Sequence, residues 1–477
     1  MHSPSTDSQL SWQHRQLPEL AKLAWPITVS MLSYSAMTLS DTLFVSRIGA
    51  AEVAGVGLGG IAAFTLLAFG FGGLRAVKVL ASQAVGAGLR ERVPALVGAG
   101  LVAALIITTV GLTLGQLLAP LVADLAATEL QGRTARDYLW VRNLAMPLVL
   151  AGVVLREARY ALGDAKAPMQ VSLIANAAHI ALNYLFIITF DLGAVGAAWS
   201  SVASAAIETA GLAYLQAGDG FGLRGVRRRD VLEVARLAWP IGLQTLVEMG
   251  SFTMLTIIVA GMSEIDGAAH QIAIQVIHLS FLPAFAVGEA ASILVGQAVG
   301  ADADHLVVRV GRKTLLLVML YTGACGALIA LIPGPIIGLF TDDPRLTETT
   351  RHLLYVAALF QVFDGMNIVG RTVLRGTGDV RVPALVTGTI AWCATPPLAW
   401  LLGRQLGWGA LGGWVGLCLE IMLGSVYLWW RVESGRWHRA ASLCRAELEL
   451  ERGAMDDELK AALAEPEEAL ASAPRSA

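Results

Sequence analysis

Leu23-Ala-Trp-Pro-Ile27 recurs as Leu237-Ala-Trp-Pro-Ile241, an offset of 214 residues, and Gln83-Ala-Val-Gly-Ala87 recurs as Gln297-Ala-Val-Gly-Ala301 at the same offset. Gly163-Asp-Ala-Lys-Ala-Pro168 is then echoed by Gly378-Asp-Val-Arg-Val-Pro383 at 215, and Gly193-Ala-Val-Gly196 by Gly409-Ala-Leu-Gly412 at 216. Four matches in one order mark a duplicated unit. Composition says what kind of unit it is. Of 477 residues, 55% are apolar and 15% charged, against about a quarter charged in soluble domains. If each membrane crossing takes roughly 20 mainly apolar residues, about twelve crossings take about 240, close to the apolar content of this chain.

Apolar stretches between charge, Gly and Pro punctuation predict twelve helices, at about 23–47, 53–81, 94–121, 137–159, 169–190, 194–216, 235–262, 268–296, 313–339, 350–374, 384–403 and 409–430. The charge bias agrees with the count: with the N-terminus in the cytoplasm, 27 of the 34 Lys and Arg fall on the cytoplasmic side and seven outside. Because the repeat offset spans an even number of helices, both units enter the membrane in the same sense and are expected to be related by a pseudo-twofold along its normal. The expected fold is an all-α polytopic membrane protein of two six-helix lobes. Its parts would be a cytoplasmic segment 1–22, a first lobe 23–217, a linker 218–234, a second lobe 235–431 and a cytoplasmic tail 432–477. The first apolar run, Leu23 to Ile48, is too long for a cleaved signal peptide, so the chain is expected to insert by its own first helix. Arg227-Arg228-Arg229 in the linker reads as a topology anchor. The tail, rich in acidic residues with Ala and Pro, reads as a solvated helix fading into disorder.

A net charge of −3 argues against a nucleic-acid partner, which demands a basic face. Cys325, Cys393, Cys418 and Cys444 form no CxxC pair and indicate neither a zinc site nor a disulfide framework. Gly55-Val-Gly-Leu-Gly-Gly60 matches a dinucleotide pattern but lies inside an apolar span with no preceding strand, so it reads as close helix packing. Trp25 and Trp239 belong to an interfacial aromatic belt. No phosphate loop, metal-ligand cluster or nucleophile motif is evident, and the chain does not read as an enzyme or as needing a cofactor.

An ionised carboxylate deep in a bilayer is expensive unless paired or facing water, so intramembrane acids are the functional candidates. Asp41 shares a helix face with Tyr34 and with Met37 or Thr38. Glu248 sits at mid-span with Gln244 or Thr245 and Ser251 on its side, and no base within two turns. Asp364 is also at mid-span, and Arg371 lies seven residues on, too far for direct pairing along the helix. Glu208 and Glu289 are second-rank candidates that either lead water to a cavity or brace a helix contact. Asn176, His179 and Asn183 line one polar face, which suits titration at His179 or interhelical hydrogen bonding.

Together these features resemble the multidrug and toxic compound extrusion (MATE) family of secondary transporters, over about residues 20–430. The resemblance is carried by Trp25-Pro26-Ile27, Ser40-Asp41-Thr42 with Gly49, Gly267-Ala-Ala-His-Gln271, Val295-Gly-Gln-Ala-Val-Gly300 and Leu374-Arg-Gly-Thr-Gly-Asp379. It implies two lobes around a central cavity and export of small cationic amphipathic compounds against inward H+ or Na+. By position, Asp41 matches the family's first-lobe carboxylate, and Glu248 and Asp364 match its second-lobe acids, where Na+ is one candidate ion. Three positions depart. Phe360 stands where the family usually has a Tyr before the Asp, His179 and Asn183 stand for Asn and Asp, and Ser201 stands for Thr.

Asp41, Glu248 and Asp364 are therefore expected to face one shared aqueous cavity and to bind either the coupling cation or a cationic drug. Its wall would be adaptable, with Met31, Met37, Met249 and Met254. The alternative is a flippase of lipid-linked precursors, which would need a cavity rich in Arg. A hydrolase and a passive channel fit less well. An excess of Arg over Lys, 29 to 5, points to a bacterial inner membrane, with both termini cytoplasmic and a monomer expected.

Overall fold

The computed structural model describes residues 10–453, and every regular element among them is a helix. In chain order these are α1 (Gln16–Val45), α2 (Ala50–Gly73), α3 (Ala76–Gly86), α4 (Val93–Asp124), α5 (Glu129–Asn143), α6 (Met146–Ala161), α7 (Lys166–Asn183), α8 (Gly193–Ala217), α9 (Arg228–Ala260), α10 (Glu264–Gly300), α11 (Asp304–Leu331), α12 (Pro333–Ile337), α13 (Pro344–Gly376), α14 (Arg381–Leu398) and α15 (Ala410–Glu433). A tail helix follows over 438–453. Nine helical stretches among the described residues are long and apolar enough to cross a bilayer, and α5 with α6, bent by 46°, makes a tenth. The bend falls where Pro147, at the start of α6, withholds a backbone donor. α1 and α8 have the length, 30 and 25 residues, but are more polar.

The polar residues of α1 survive inside a helix because their hydroxyls bond back one turn: Thr28 donates to the Ala24 carbonyl at 2.9 Å, Ser30 to Pro26 at 3.0 Å and Thr38 to Tyr34 at 3.2 Å. Those three donors are thereby satisfied within the helix.

The sequence repeat has a backbone counterpart. π-helical turns follow both α7 (Tyr184–Thr189) and α14 (Ala399–Gln405). Repeat-related glycines share the same positive φ: Gly163 and Gly378 have φ of 82° and 81°, and Gly193 and Gly409 both have 59°. The two halves meet reciprocally at the two Gln-Ala-Val-Gly motifs, which end α3 and α10. A Cβ on Gly86 would collide with the Gln297 carbonyl, and one on Gly300 with the Gln83 carbonyl. Gln83 Nε2 donates to the Gly376 carbonyl at 3.0 Å, while Gln297 Nε2 donates to Ala161, the repeat equivalent of Gly376, at 3.4 Å.

The same end of the molecule departs from the sequence reading. α1 starts at Gln16 rather than near residue 23, with Leu20 buried, and Trp12 ahead of it donates to Gln297 Oε1 at 2.7 Å. The tail helix is docked, not solvated: Trp437, Ala441, Cys444 and Leu448 are all buried, because spacings of four, three and four put them on one face. Its Arg452 donates to the Ala87 carbonyl of the first half at 2.5 Å, and its Arg445 pairs with Asp304 of the second at 2.6 Å. The remainder of the tail, 454–477, lies outside the described residues.

Candidate functional site

Two cavities lie among the helices. The second-half cavity, about 290 Å3, is walled by α9, α10, α11, α13, α14 and α15 and holds three carboxylates, Glu248, Asp364 and Glu420, with one guanidinium, Arg371. Glu248 accepts from Gln244 Nε2 at 3.0 Å and is held by Arg371, whose other terminal nitrogen donates to Asn367 at 2.5 Å. Gln244 also reaches Thr387 at 3.1 Å. Glu420 accepts from Thr395. Asp364 differs from both: it lines the cavity with no hydrogen bond or ion pair among the described residues. Phe360 completes the apolar wall.

The first-half cavity, about 460 Å3, is lined by Tyr34, Met31, Met37, Asn176, Ser201 and Glu208, together with Arg75, Arg142 and Arg156. Arg156 donates to the Tyr34 hydroxyl at 2.7 Å and pairs with Glu208 at 3.2 Å; Ser172 donates to Glu208 at 2.9 Å, and Tyr34 also contacts it. Asn176 donates to Ser33 at 2.6 Å. Asp41 stands beside this cavity rather than on its wall. His179 Nε2 lies 2.6 Å from Asp41 Oδ1, Asn183 donates to the same oxygen at 2.7 Å, and His179 Nδ1 lies 3.1 Å from Ser204 Oγ.

A family model, MatE, matches residues 26–185 and 240–401, one stretch in each half. The chain belongs to the MatE family. It is 30% identical over 432 residues to a probable multidrug resistance protein NorM of Burkholderia pseudomallei, covering 87% of this chain and 92% of that one. With the NorM of Pseudomonas aeruginosa it shares 31% over 446 residues, covering 87% and 89%. Among solved structures, the eukaryotic MATE transporter AtDTX14 superposes with a TM-score of 0.84 at 17% identity, covering 91% of this chain and 99% of that one. A MOP superfamily transporter from Pyrococcus furiosus superposes at 0.83 and 18%, covering 92% and 99%. These two likenesses concern the fold alone.

Within this MatE-family fold, several sequence expectations need correction. Asp41, Glu248 and Asp364 do not share one cavity: the last two do, whereas Asp41 is engaged by α7. His179, Asn183, Gln244 and Glu289 are buried and line neither cavity, and Met249 and Met254 line neither. Glu248 does have a base, but on another helix, 123 residues away in sequence. Glu248 is thus paired with a resident guanidinium, whereas Asp364 is not. Glu289 braces the joint between halves. Lys78 lies between it and Glu157, 3.0 Å from the latter, and Arg375 and Arg75 approach Glu289 at 3.2 and 3.6 Å. Each of these three bases lies within two residues of a helix end, and its long side chain reaches inward to an acid, where pairing offsets desolvation. Glu420 and Arg142 were missed as cavity residues. Glu420, an acid inside the predicted span 409–430, was readable by the same rule as Asp364.

Proposed function

We propose that the protein is a secondary active multidrug efflux transporter that exchanges small cationic amphipathic compounds for inward H+ or Na+ by alternating access, in a bacterial inner membrane. Asp364 carries the reading: an unpaired carboxylate on a cavity wall where three acids face one guanidinium. An arriving cation of either kind lowers the energy of that charge, so coupling ion and drug compete for one group. Each then biases the inward/outward equilibrium by its differential affinity for the two states. Phe252, Phe281 and Phe360 supply an apolar wall suited to an amphiphile's body. The repeated backbone turns and reciprocal Gln contacts support two lobes of six crossings, with α1, α8 and the bent α5–α6 pair completing twelve. The motif end, with its buried ions and docked tail, is then the closed cytoplasmic face.

The flippase reading draws on Arg75, Arg142 and Arg156. Arg156 is paired with Glu208 and Arg75 shares Glu289 with Lys78 and Arg375, so the wall does not present the three free guanidinium groups that reading draws on. The test is efflux of an ethidium-like dye from proteoliposomes under imposed H+ or Na+ gradients, comparing the unaltered chain with Asp41→Asn, Glu248→Gln and Asp364→Asn. Asp364→Asn is expected to lose at least tenfold in rate. Undiminished gradient-driven efflux in all three variants would remove the assigned residues, and no dye movement by the unaltered protein would restore the flippase.

A further inference from the structure

Each cavity holds charge with no ion-pair partner, of opposite sign in the two: Asp364, together with Glu420, in the second half, and Arg142 in the first. Arg142 lines the first-half cavity at the α5–α6 break. It makes no ion pair among the described residues, and its Nη1 is buried without a hydrogen-bond partner. The neighbouring Asn143 side chain, donating to the Leu112 carbonyl at 3.3 Å, pins the break and so fixes where Arg142 projects. Ser201 lies on the same wall with its Oγ buried. Both residues meet the Tyr138 hydroxyl, a neutral group, which places them in one corner. Asp41, whose charge also reaches Tyr138, is engaged by His179 and Asn183 instead.

A partly buried guanidinium whose neighbour is a neutral phenol keeps an uncompensated charge, which is costly in a protein interior. It is relieved by one ligand group, a carboxylate, which accepts two parallel N–H bonds from an arginine fork and one more from a nearby hydroxyl. The charge count favours a carboxylate over a phosphate. Arg156 is paired with Glu208, and Arg75 lies 3.6 Å from Glu289, which it shares with Lys78 and Arg375, so one guanidinium, Arg142, stands alone in this corner, whereas a phosphate monoester brings nearly two negatives at neutral pH. Met31, Met37 and Phe285 on the remaining walls suit an apolar body.

We infer that the first-half cavity is a binding site for the carboxylate of an amphipathic compound, held by Arg142 and Ser201. The inference rests on the transporter reading only in taking the cavity as open to substrates, and a binding measurement tests it without transport. Purified full-length protein in uncharged detergent is titrated with a naphthyl carboxylate amphiphile, its methyl ester and the phosphate monoester of the same body, followed by tryptophan energy transfer. The readout is the ratio of acid to ester affinity within each protein, so any general loss of binding cancels. The unaltered chain is expected to prefer the acid at least tenfold, Arg142→Gln to fall to about twofold or less, and Arg142→Lys to lie between. Should Arg142→Gln fail to fold, Ser201→Ala, expected to reduce the ratio about threefold, carries the same test. No acid preference in the unaltered chain, a preference that survives Arg142→Gln, or tighter binding of the phosphate than of the carboxylate overturns the assignment. A failure of dye efflux with the acid preference intact would count against the transporter reading alone.

Discussion

The two cavities are built from repeat-related parts put to different electrostatic use. Arg156 and Arg371 are equivalent at the 215 offset, and so are Ser172 and Thr387; Tyr34 and Glu248 are equivalent at 214. In the first half Arg156 grips the Tyr34 hydroxyl, and a separate acid, Glu208, neutralises it. In the second half Arg371 grips Glu248 directly. The polarity of each cavity is then set by residues without a repeat counterpart of their kind: Arg142 stands opposite Ala357, and Asp364 opposite Val149. Duplication has thus kept the scaffold of each site, the arginine and its hydroxyl-bearing neighbours, while divergence placed opposite unpaired charges on the two scaffolds.

The comparison presumes that the halves are held as a matched pair, and its strongest test is at the joint. Lys78→Met leaves Glu157 and Glu289 facing each other without their shared ammonium. Breaking a buried ion cluster in this way is expected to cost roughly 3–5 kcal/mol, read as a lowered Tm in detergent. A loss below about 1 kcal/mol would mean that apolar contacts alone keep the halves in register. Arg371→Gln, which strands Glu248, should lose on the order of 2 kcal/mol, less than Lys78 because this pair is partly solvated. Asp364→Asn should leave Tm unchanged within about 0.5 kcal/mol even as efflux falls, since no bond is removed. A large Tm drop there would reveal a structural partner. Tyr34→Phe, which deletes the hydroxyl between Arg156 and Glu208, is expected to cost about 1–2 kcal/mol, and no change would show the first-half scaffold to be slack. The smallest effect is kinetic. Burial first, and then the charge of Glu447, pushes the Cys444 thiol up to about 11, so the reactive thiolate is scarce at neutral pH. Maleimide labelling of Cys444 should be at least tenfold slower in the folded chain than in the unfolded one, and equal rates would mean that the tail helix does not stay docked.

The repeat, the helical spans and the mid-span acids were legible in the sequence because each is written locally: in matching motifs, in apolar runs and in single charges inside them. What was illegible is partnership. Lys78 and Glu289 are 211 residues apart, and Arg371 and Glu248 are 123 apart. Each base, read alone, belongs at a helix end, and only packing shows its side chain reaching inward. The separation of Asp41 from the other acids has the same origin, since α7 supplies His179 and Asn183 to it. Arg142 sits at the end of α5, at the break before Pro147, and only the bend there shows its side chain on a cavity wall. The tail is a different failure. Its acidic composition was weighed above a readable periodicity of Trp437, Ala441, Cys444 and Leu448, which is an amphipathic stripe.

The meeting of Gly86 and Gly300 is isologous: each motif offers the notch that the other fills, as in a twofold dimer of identical chains. Such a joint does not depend on the covalent connection between α8 and α9. Cut in that connection, two co-expressed fragments would still carry both complementary surfaces, and reassembly of a split protein there would show that the fused chain behaves as a dimer whose subunits happen to share a backbone.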